Sequence, residues 1–400
     1  MKNIRKVTEE IIWIGASDRR LHLFENMFPI PRGVSYNSYV LLDEKTVLLD
    51  TVDAAVAGQF FENLEAALDG KTLDYLVVNH MESDHCATIG EVVRRFPQVT
   101  LVGNAKTFAM IGQFFDFSLP EEQKLTVKEG DTLETGSHTL HFVMAPMVHW
   151  PEVMVTYDSK EKVLFAADAF GTFGALNGNL FADEVAFERD WLPDARRYYT
   201  NIVGKYGANV QALLKKAAGL EIAMICPLHG PVWRENPSWF MDKYQKWSTY
   251  EAEDQAVAIF YSSVYGDTAS AVDALGGKLG EKGIRDIKIY DVSNTDISEM
   301  IAEMFRVSTI VLAATTYNAG VFPKMEYLLA DMKALQVQKK KVALMENGSW
   351  APMSGKKMRE ELEGMKEMEI LEPSVTIKSA MKASQEAELD ALADAIAGSL

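Results

Sequence analysis

Short apolar runs of strand length dominate the first 250 residues, with turns or helix-patterned segments between them. Strands are predicted at residues 38–42, 46–49, 73–78, 139–144, 153–157 and 162–167. Apolar residues at helical spacing predict helices at residues 55–68, 89–95 and 210–217. This mixture predicts two packed sheets with helices on the outside.

The order of predicted elements changes after residue 250, where strands and helices alternate strictly. The polar stretch 250–255 is predicted to be a linker, and strands are predicted at residues 256–261, 287–292, 309–314, 341–345 and 368–371. Helical segments separate these strands, the first at 268–282 and the last at 379–400. Five such βα units predict a doubly wound parallel sheet of the flavodoxin type. We therefore expect an α/β protein with two domains, 1–250 and 251–400.

Composition narrows the class of protein. The 400 residues exceed what one compact core needs, and 48% apolar with 24% charged residues is typical of a globular chain. No apolar stretch approaches a membrane span and the N-terminus lacks a signal-peptide core, so a cytoplasmic location is expected. The net charge of −17 argues against nucleic-acid and anionic-membrane binding. Two cysteines make neither a disulfide framework nor an iron–sulfur motif.

A dense group of potential metal ligands follows the predicted strand 73–78. His80, Glu82, Asp84 and His85 lie within six residues of one another. Outside a helix, such spacing turns several side chains toward one point. The group is therefore a candidate metal site at a strand end.

Three single residues repeat the arrangement, because each follows an apolar strand. They are His149, Asp168 and His229. One histidine after a strand is usually structural, and we interpret His138 and His141 in that way. The dense group with three further matches in chain order favours metal binding. Four histidines and three carboxylates suffice for two metal ions with one shared carboxylate.

A candidate anion site opens the predicted second domain. The segment 261–268 follows its first strand and precedes a helix, and its hydroxyl-bearing residues include Ser262, Ser263, Tyr265 and Thr268. Hydroxyl groups and backbone N–H groups at a helix N-terminus suit a phosphate. Asp267 is unfavourable beside a phosphate unless it points away, and we expect it to cap a helix that starts at Thr268.

Two further loops follow the third and fourth predicted strands of that domain, where doubly wound sheets bind their ligands. They are residues 315–320 and 347–351, and Trp350 is a stacking candidate in the second of them. Each loop alone is weak evidence, but three loops at corresponding strand ends support one another. The sequence has no GxGxxG fingerprint, so direct binding of NAD(P)H is not indicated.

The ligand pattern resembles that of the metallo-β-lactamase superfamily, H-x-H-x-D-H followed by a distant His, an Asp and a His. Here Glu82 stands in place of the second histidine. The sequence H-x-E-x-D-H is the mark of the flavodiiron proteins, which also carry a flavodoxin domain. Both halves of the chain match, so the resemblance implies an N-terminal metallo-β-lactamase-like αββα sandwich followed by a flavodoxin-like doubly wound parallel sheet.

The resemblance also implies the ligands of two irons. One iron would be bound by His80, Glu82 and His149, the other by Asp84, His85 and His229, with Asp168 as the bridge. Carboxylate and imidazole ligands suit iron, although zinc accepts the same set. A bridging water or hydroxide is expected between the metals.

Two further positions are candidates for the pocket around the irons. The segments 20–25 and 30–39 match the family, in which His22 lies in the pocket without binding metal; a surface histidine on a hairpin is the alternative. Tyr198 or Tyr199 is the second candidate. These side chains would donate protons or hydrogen bonds.

In the second domain the resemblance implies bound FMN. The residues expected to bind it are Ser262, Ser263, Tyr265, Gly266, Asp267, Thr268, Thr315, Thr316, Tyr317, Asn318, Gly320, Asn347, Gly348, Ser349 and Trp350. The first loop would hold the phosphate, and the other two would hold the isoalloxazine ring and the ribityl chain.

The activity implied is reduction of O2 to water, of NO to N2O, or of both, with electrons passing from an external donor through FMN to the diiron centre. Rubredoxin is the expected donor and reduced coenzyme F420 the alternative. A head-to-tail homodimer, or a dimer of dimers, would bring the FMN of one chain beside the irons of another. The competing hypotheses are a binuclear zinc hydrolase fused to a flavodoxin and a redox or gas sensor without turnover.

Overall fold

The computed structural model describes all 400 residues and divides the chain into two compact units. The first unit comprises Met1–Tyr199 and Ala208–Gln245, and the second comprises Thr200–Gly207 and Lys246–Leu400. The predicted limits, 1–250 and 251–400, differ from this division in the segment Thr200–Gly207 and in the few residues before residue 250.

Two mixed sheets form the framework of the first unit. Its strands are β1 (Arg5–Lys6), β2 (Ile11–Trp13), β3 (Ala16–Asp18), β4 (Leu23–Phe24), β5 (Phe28–Pro29), β6 (Val34–Tyr36), β7 (Tyr39–Leu42), β8 (Thr46–Leu49), β9 (Tyr75–Val77), β10 (Thr100–Gly103), β11 (Lys124–Thr126), β12 (Thr132–Glu134), β13 (Thr139–Met144), β14 (Met154–Asp158), β15 (Val163–Phe165) and β16 (Met224–Cys226). Seven strands pair in the order β1-β2-β7-β8-β9-β10-β11, and five pair in the order β12-β13-β14-β15-β16. β3 pairs with β6 and β4 with β5 as two small ribbons.

Helices accompany these sheets, as the sequence predicts. They are α1 (Ala57–Leu68), α2 (Ser83–Cys86), α3 (Ile89–Arg95), α4 (Ala105–Phe114), α5 (Phe187–Asp190), α6 (Leu192–Tyr198), α7 (Gly207–Ala217) and α8 (Pro237–Ser248). α1 buries Phe60, Leu64 and Leu68, which recur every four residues on one face. Between the two sheets, Tyr39 of β7 packs on Phe165 of β15 with ring centroids 5.5 Å apart.

The second unit is a parallel sheet with helices on both faces. Its strands are β17 (Asp254–Tyr261), β18 (Ile287–Asp291), β19 (Val307–Tyr317), β20 (Gly320–Val321), β21 (Lys340–Asn347), β22 (Met368–Ile370) and β23 (Val375–Ile377). Its helices are α9 (Asp267–Glu281), α10 (Ile297–Arg306), α11 (Pro323–Ala334), α12 (Ser354–Glu363) and α13 (Glu386–Ser399). The order β18-β17-β19-β21-β22 confirms the predicted doubly wound arrangement, and β23 continues the pairing along β21.

Two predicted boundaries of this unit are wrong. β17 begins inside the predicted linker 250–255, because Asp254 already pairs with Val307 of β19. The last helix begins at Glu386, so the first seven residues of the predicted helix 379–400 are not part of it.

No helix of the protein combines the length and the apolar character that a membrane span requires.

Candidate metal centre and flavin site

Three of the predicted metal ligands occupy equivalent positions in the first unit. His80 is the third residue after β9, Asp168 the third after β15 and His229 the third after β16. β9 belongs to the seven-stranded sheet, whereas β15 and β16 are parallel neighbours in the five-stranded sheet. The ends of strands from both sheets therefore supply ligands to one place.

The dense motif closes around a single helical turn, contrary to the expectation that it lies outside a helix. Asp84 and His85 belong to α2, and Glu82 precedes it at the N-cap position. The backbone amides of His85 and Cys86 both donate to the Glu82 carbonyl at 2.9 Å. The turn thereby fixes the position of Glu82 relative to His85.

Four side chains form one group, which we call half-site A: His80, Glu82, His149 and one oxygen of Asp168. Glu82 Oε2 lies 3.2 Å from His80 Nε2 and 3.0 Å from His149 Nε2. Asp168 Oδ2 lies 3.1 Å from each of the same two nitrogens. Two imidazole nitrogens and two carboxylate oxygens thus surround one point.

A second group, half-site B, contains Asp84, His85 and His229. The Nε2 atoms of His85 and His229 are 3.0 Å apart, and Asp84 Oδ2 lies 3.3 Å from each. Asp168 Oδ1 lies 3.3 Å from His85 Nε2 and 3.7 Å from His229 Nε2. The two oxygens of Asp168 therefore face different half-sites.

This arrangement fits two metal ions. Ligand atoms at about 2.1 Å from a metal and at right angles lie about 3.0 Å apart, close to the spacings within each half-site. Both oxygens of Asp84 and Oδ1 of Asp168 are buried without a hydrogen-bond partner. Buried carboxylate oxygens need a compensating donor or cation, and metal ions in the half-sites would provide it.

The charges of the group stabilise one another. Burial opposes protonation of His149, but hydrogen bonds with Asp168 and Glu82 outweigh it and raise the pKa of His149 to about 9. Burial likewise opposes ionisation of Glu82, yet its pKa is lowered by hydrogen bonds from His149 and His80. Such a cluster attracts cations, and metal ions would displace the protons from its histidines.

Hydrogen-bond partners behind the ligands escaped the sequence analysis. Glu152 Oε1 accepts from His80 Nδ1 and from the Met81 amide, each at 2.9 Å. On the other side, His229 Nδ1 donates to the Ser35 carbonyl at 2.7 Å. Each contact leaves the Nε2 atom of that histidine toward the half-site.

Asp50 is a further buried carboxylate that sequence reasoning missed. Its Oδ1 accepts from the amides of Asn79 and His80, at 2.7 and 3.2 Å, and its Oδ2 accepts from Asn79 Nδ2 at 2.7 Å. Burial raises the pKa of Asp50 to about 6, although the contacts with Asn79 and the charge of His85 oppose the rise. The available signal was its position as the first residue after β8, near a strand end like the predicted ligands.

The turn between β4 and β5 brings a carboxyl group, that of Glu25, rather than a histidine to Glu82. Burial, followed by the charge of and the hydrogen bond with Glu82, raises the pKa of Glu25 to about 7. Glu25 lies in the segment 20–25 that matches the family, but no spacing in the sequence marks it as a pocket residue. His22 is solvent-exposed, and its place in the pocket stays a prediction.

Of the two candidate tyrosines, Tyr198 lies against a ligand. Its ring centroid is 5.4 Å from that of His229, and its hydroxyl is buried without a hydrogen-bond partner. Tyr199 packs on Tyr244, with ring centroids 4.9 Å apart. The Tyr244 hydroxyl in turn accepts from the amide of Phe170, two residues after Asp168.

The remaining histidines and the cysteines lie outside both half-sites. His138 Nδ1 pairs with Asp158 at 2.9 Å and its Nε2 with Glu10 at 2.7 Å. Cys86 and Cys226 are buried free thiols. Burial raises the pKa of Cys86 to about 12, so this thiol is a poor metal ligand.

All three predicted loops of the second unit line one cleft of about 530 Å³. The lining residues are Ser263, Val264, Tyr265, Asp267, Thr268, Thr315, Thr316, Tyr317, Asn318, Ala319, Asn347, Gly348, Ser349, Trp350, Ala351 and Ser379. Of the residues expected to bind FMN, three are not among them: Ser262, Gly266 and Gly320. The buried Ser262 instead contacts the second loop, since its Oγ accepts a hydrogen bond from the Thr315 amide at 3.3 Å.

One threonine joins the three loops. Thr268 Oγ1 lies 3.1 Å from Thr315 Oγ1 and accepts from Asn347 Nδ2 at 3.2 Å. Asn347 Nδ2 also donates to the carbonyl of Ser379 at 2.7 Å. Ser379 was missed because it falls in the segment that the sequence predicts to be helical.

The phosphate loop differs from its prediction at the helix start. α9 begins at Asp267 and not at Thr268, and Gly266 is the N-cap residue, with φ of 102°. This left-handed conformation favours glycine. Asp267 is therefore the first helical residue and does not cap the helix as expected.

The second loop is partly strand. β19 continues to Tyr317 because Thr316 and Tyr317 pair with the short strand β20. Aromatic side chains border the cleft and are largely open to solvent: Tyr265 is 95% exposed, Trp350 91% and Tyr317 48%. Hydroxyl groups, backbone amides at a helix start and aromatic walls fit a flavin mononucleotide, and the volume is in the range of small-molecule sites.

Comparisons with known proteins agree with this architecture. Residues 34–230 match the family described as ODP family beta lactamase. An anaerobic nitric oxide reductase flavorubredoxin of Vibrio vulnificus is 34% identical over 355 residues, which are 86% of this chain and 70% of that protein.

Solved structures extend the likeness to the whole chain. The rubredoxin oxygen:oxidoreductase of the anaerobe Desulfovibrio gigas superposes with a TM-score of 0.91 at 27% identity, covering 99% of this chain and 98% of that one. A flavo di-iron protein variant from Thermotoga maritima gives a TM-score of 0.89 at 25% identity, with coverage of 99% and 98%. The chain therefore belongs to the flavodiiron protein family, whose members are oxidoreductases.

Proposed function

We propose that this protein reduces NO to N2O and O2 to water at a diiron centre, with electrons relayed through FMN. Asp168 carries the proposal, because its two carboxylate oxygens serve two separate groups of ligands. A carboxylate shared in this way holds two metal ions next to each other. The flavin cleft of the second unit supplies the place for the second cofactor.

Each residue has a defined part in this proposal. His80, Glu82 and His149 would hold one iron, Asp84, His85 and His229 would hold the other, and Asp168 would bridge them. When bound, the irons would take up the gas and FMN would supply their electrons. The Tyr198 hydroxyl has no partner in the protein, so we propose that it donates a hydrogen bond in the pocket, with His22 as a further donor.

Both gases are proposed because one relative is named for the reduction of NO and another for a reaction with oxygen. The relative from Vibrio vulnificus is named a nitric oxide reductase, and the Desulfovibrio gigas protein an oxygen oxidoreductase. Both names also include rubredoxin, so we propose a rubredoxin as the external electron donor, with reduced coenzyme F420 as the alternative. The 400 residues contain two cysteines, fewer than the four thiolates of an iron–sulfur site.

We further propose that the protein acts as a head-to-tail homodimer or a dimer of such dimers. The nearly full exposure of Tyr265 and Trp350 beside the flavin cleft supports a partner surface there. Mixing a variant that lacks metal with one that lacks flavin tests this, because only a head-to-tail pairing restores turnover. A mixture that stays inactive, or a monomer with full activity, contradicts the proposal.

Metal and flavin analysis of the purified protein tests the function itself. The expected result is two irons and one FMN per chain, with multiple turnovers of NO and of O2 when reduced rubredoxin is supplied. Two zinc ions without iron would instead indicate a binuclear hydrolase. Gas binding without repeated turnover would indicate a sensor.

A further inference from the structure

The two half-sites contain the same kinds of ligand. Each has two histidine Nε2 atoms, one carboxylate of its own (Glu82 or Asp84) and one oxygen of the shared Asp168. By these ligands alone, two metal ions would experience nearly the same environment. What distinguishes the half-sites is the hydrogen-bond partner of the Nδ1 atom in His80, His229 and His85.

In half-site A, a histidine is hydrogen-bonded to a buried carboxylate, that of Glu152. The side chain of Glu152 is fully buried, and its Oε1 accepts from His80 Nδ1 and from the Met81 amide at 2.9 Å. The backbone of Glu152 is held as well, since its carbonyl accepts from Asn104 Nδ2 at 2.5 Å. Its other oxygen, Oε2, is buried without a hydrogen-bond partner. The carboxylate is therefore rigidly placed, and His80 is its only side-chain partner.

In half-site B no carboxylate accepts a hydrogen bond from a histidine Nδ1 atom, although the buried Asp50 interacts with His85 through its charge. His229 Nδ1 donates to a neutral group, the carbonyl of Ser35, at 2.7 Å. His85 Nδ1 is buried and has no hydrogen-bond partner. In this half-site one Nδ1 atom therefore donates to a backbone carbonyl, and the other has no hydrogen-bond partner.

The difference has consequences for a bound metal. A carboxylate that accepts from Nδ1 fixes the tautomer in which Nε2 is free to bind, and it makes that nitrogen a stronger ligand. Its negative charge in a buried setting also favours the more highly charged ion. We propose that Glu152 is a positioning residue for His80 that makes half-site A the tighter metal site and the one whose ferric state is favoured. The inference rests on the diiron centre of the proposed function.

Two substitutions separate geometry from charge. Glu152→Gln keeps an oxygen that accepts from His80 Nδ1 and from the Met81 amide, but it removes the charge. Glu152→Ala removes both and leaves the Nδ1–H buried without a partner. Asp158→Asn is the matched control, because Asp158 is equally buried and pairs with the Nδ1 of His138, which is not a ligand.

The measurements are anaerobic titration of the metal-free protein with Fe²⁺ and a redox titration of the iron-loaded protein followed by electron paramagnetic resonance. Glu152→Ala should weaken one of the two binding steps by about 10–100-fold, the usual cost of losing a partner behind a metal ligand. Glu152→Gln should bind both irons, with one reduction potential shifted to a more positive value. Asp158→Asn should match the wild-type protein in both measurements.

The outcomes are separable. Wild-type protein that binds no iron contradicts the proposed function itself. Wild-type protein with two irons, together with unchanged affinities and potentials in both Glu152 variants, overturns the role of Glu152 alone. If Glu152→Ala does not fold, as judged by circular dichroism, the potential of Glu152→Gln decides: a positive shift supports the inference and an unchanged potential overturns it.

Discussion

The metal centre and the flavin cleft solve the problem of holding a cofactor in opposite ways. His80, His85 and Asp168 are fully buried, and their charges balance one another within half-sites A and B. The flavin cleft is bounded mainly by neutral hydroxyl and amide groups, with Asp267 as its one carboxylate, and its aromatic residues Tyr265 and Trp350 are almost fully exposed. Buried charges require a closed and complete set of partners, whereas a mainly neutral cleft remains stable while open to solvent.

This difference predicts different responses to mutation. In the metal centre one side chain, Asp168, contacts both half-sites, so its loss affects the whole group. Three loops line the flavin cleft, and each is expected to supply part of the FMN binding energy. Removing one contact there should weaken binding and leave the remaining contacts intact.

The largest effect is expected from Asp168→Asn. An amide is uncharged and a weak metal ligand, so both half-sites lose their shared oxygen donors. Iron should fall below one per chain, and turnover of NO and O2 should fall by more than the roughly 100-fold upper value for loss of an outer partner. FMN content should stay at the wild-type level, since the flavin cleft lies in the other unit.

Asp158→Asn is the control for loss of a buried carboxylate in the same unit. Iron is measured by plasma mass spectrometry, FMN by its absorbance after release, and turnover with a gas electrode. A variant that retains two irons and substantial turnover contradicts the bridging role of Asp168. Equal loss of iron and FMN contradicts the independence of the two sites.

An intermediate effect is expected from Thr268→Val in the flavin cleft. The substitution keeps the shape of the side chain but removes the hydroxyl that contacts Thr315 and Asn347. Each lost hydrogen bond costs about 1 kcal/mol, so the loss of both should weaken FMN binding by about 30-fold. Iron content should not change. Fluorescence titration of the flavin-free protein with FMN measures the affinity.

Thr309→Val is its matched control. Thr309 is as buried as Thr268 and lies on the central strand β19, which also carries Thr315, but its hydroxyl faces Ser399 and does not line the cleft. Unchanged FMN affinity in Thr268→Val would show that the Thr268 hydroxyl does not organise the three loops. Weaker FMN affinity in both variants would show that loss of any buried threonine hydroxyl in this unit weakens binding.

Much of the metal centre could be predicted from sequence because strand ends are recognisable as apolar runs that stop at a polar residue. Seven candidate ligands could be located in this way, and the structure brings all seven side chains into two adjoining groups. Glu152 could not be found, since a single carboxylate has no spacing that distinguishes a partner of a ligand from a surface residue, and Asp50 had only its strand-end position as a signal. Only the fold shows that each is buried against the backbone or ring of His80.

The flavin cleft shows the same limit at a smaller scale. The positions of its loops follow from the alternation of strands and helices. Details such as the start of α9 at Asp267, the short strand β23 and the contact of Ser379 depend on tertiary pairing. Strand β23 contains three residues, too few for a periodic pattern to be read.

Lys340 in the second unit is a buried cation whose hydrogen bonds differ from those of the metal-centre histidines and from those of Arg306 in its own unit, which pairs with carboxylates. Histidines of the metal centre pair with carboxylates, but the buried ammonium of Lys340 donates only to carbonyl groups, those of Phe305 at 3.2 Å and Val307 at 2.8 Å. Burial lowers the pKa of Lys340 to about 7, although the charge of Glu253 opposes the shift. The folded pKa is thus well below the ordinary value of about 10.5 for an unfolded chain.

The smallest effect on function, and a distinctive effect on stability, is therefore expected from Lys340→Met. Between about pH 7 and pH 10.5 the unfolded chain binds a proton at this lysine that the folded protein does not, so the wild-type free energy of unfolding rises with pH there, by at most about 1.4 kcal/mol per pH unit. Urea unfolding at pH 7, 8 and 9 should show the wild-type protein gaining stability relative to Lys340→Met. The exposed neighbour Lys339, changed to Met, should keep the wild-type pH dependence. Parallel pH profiles for wild type and Lys340→Met would show that the ammonium stays charged in the fold, and that the carbonyl groups alone compensate its burial.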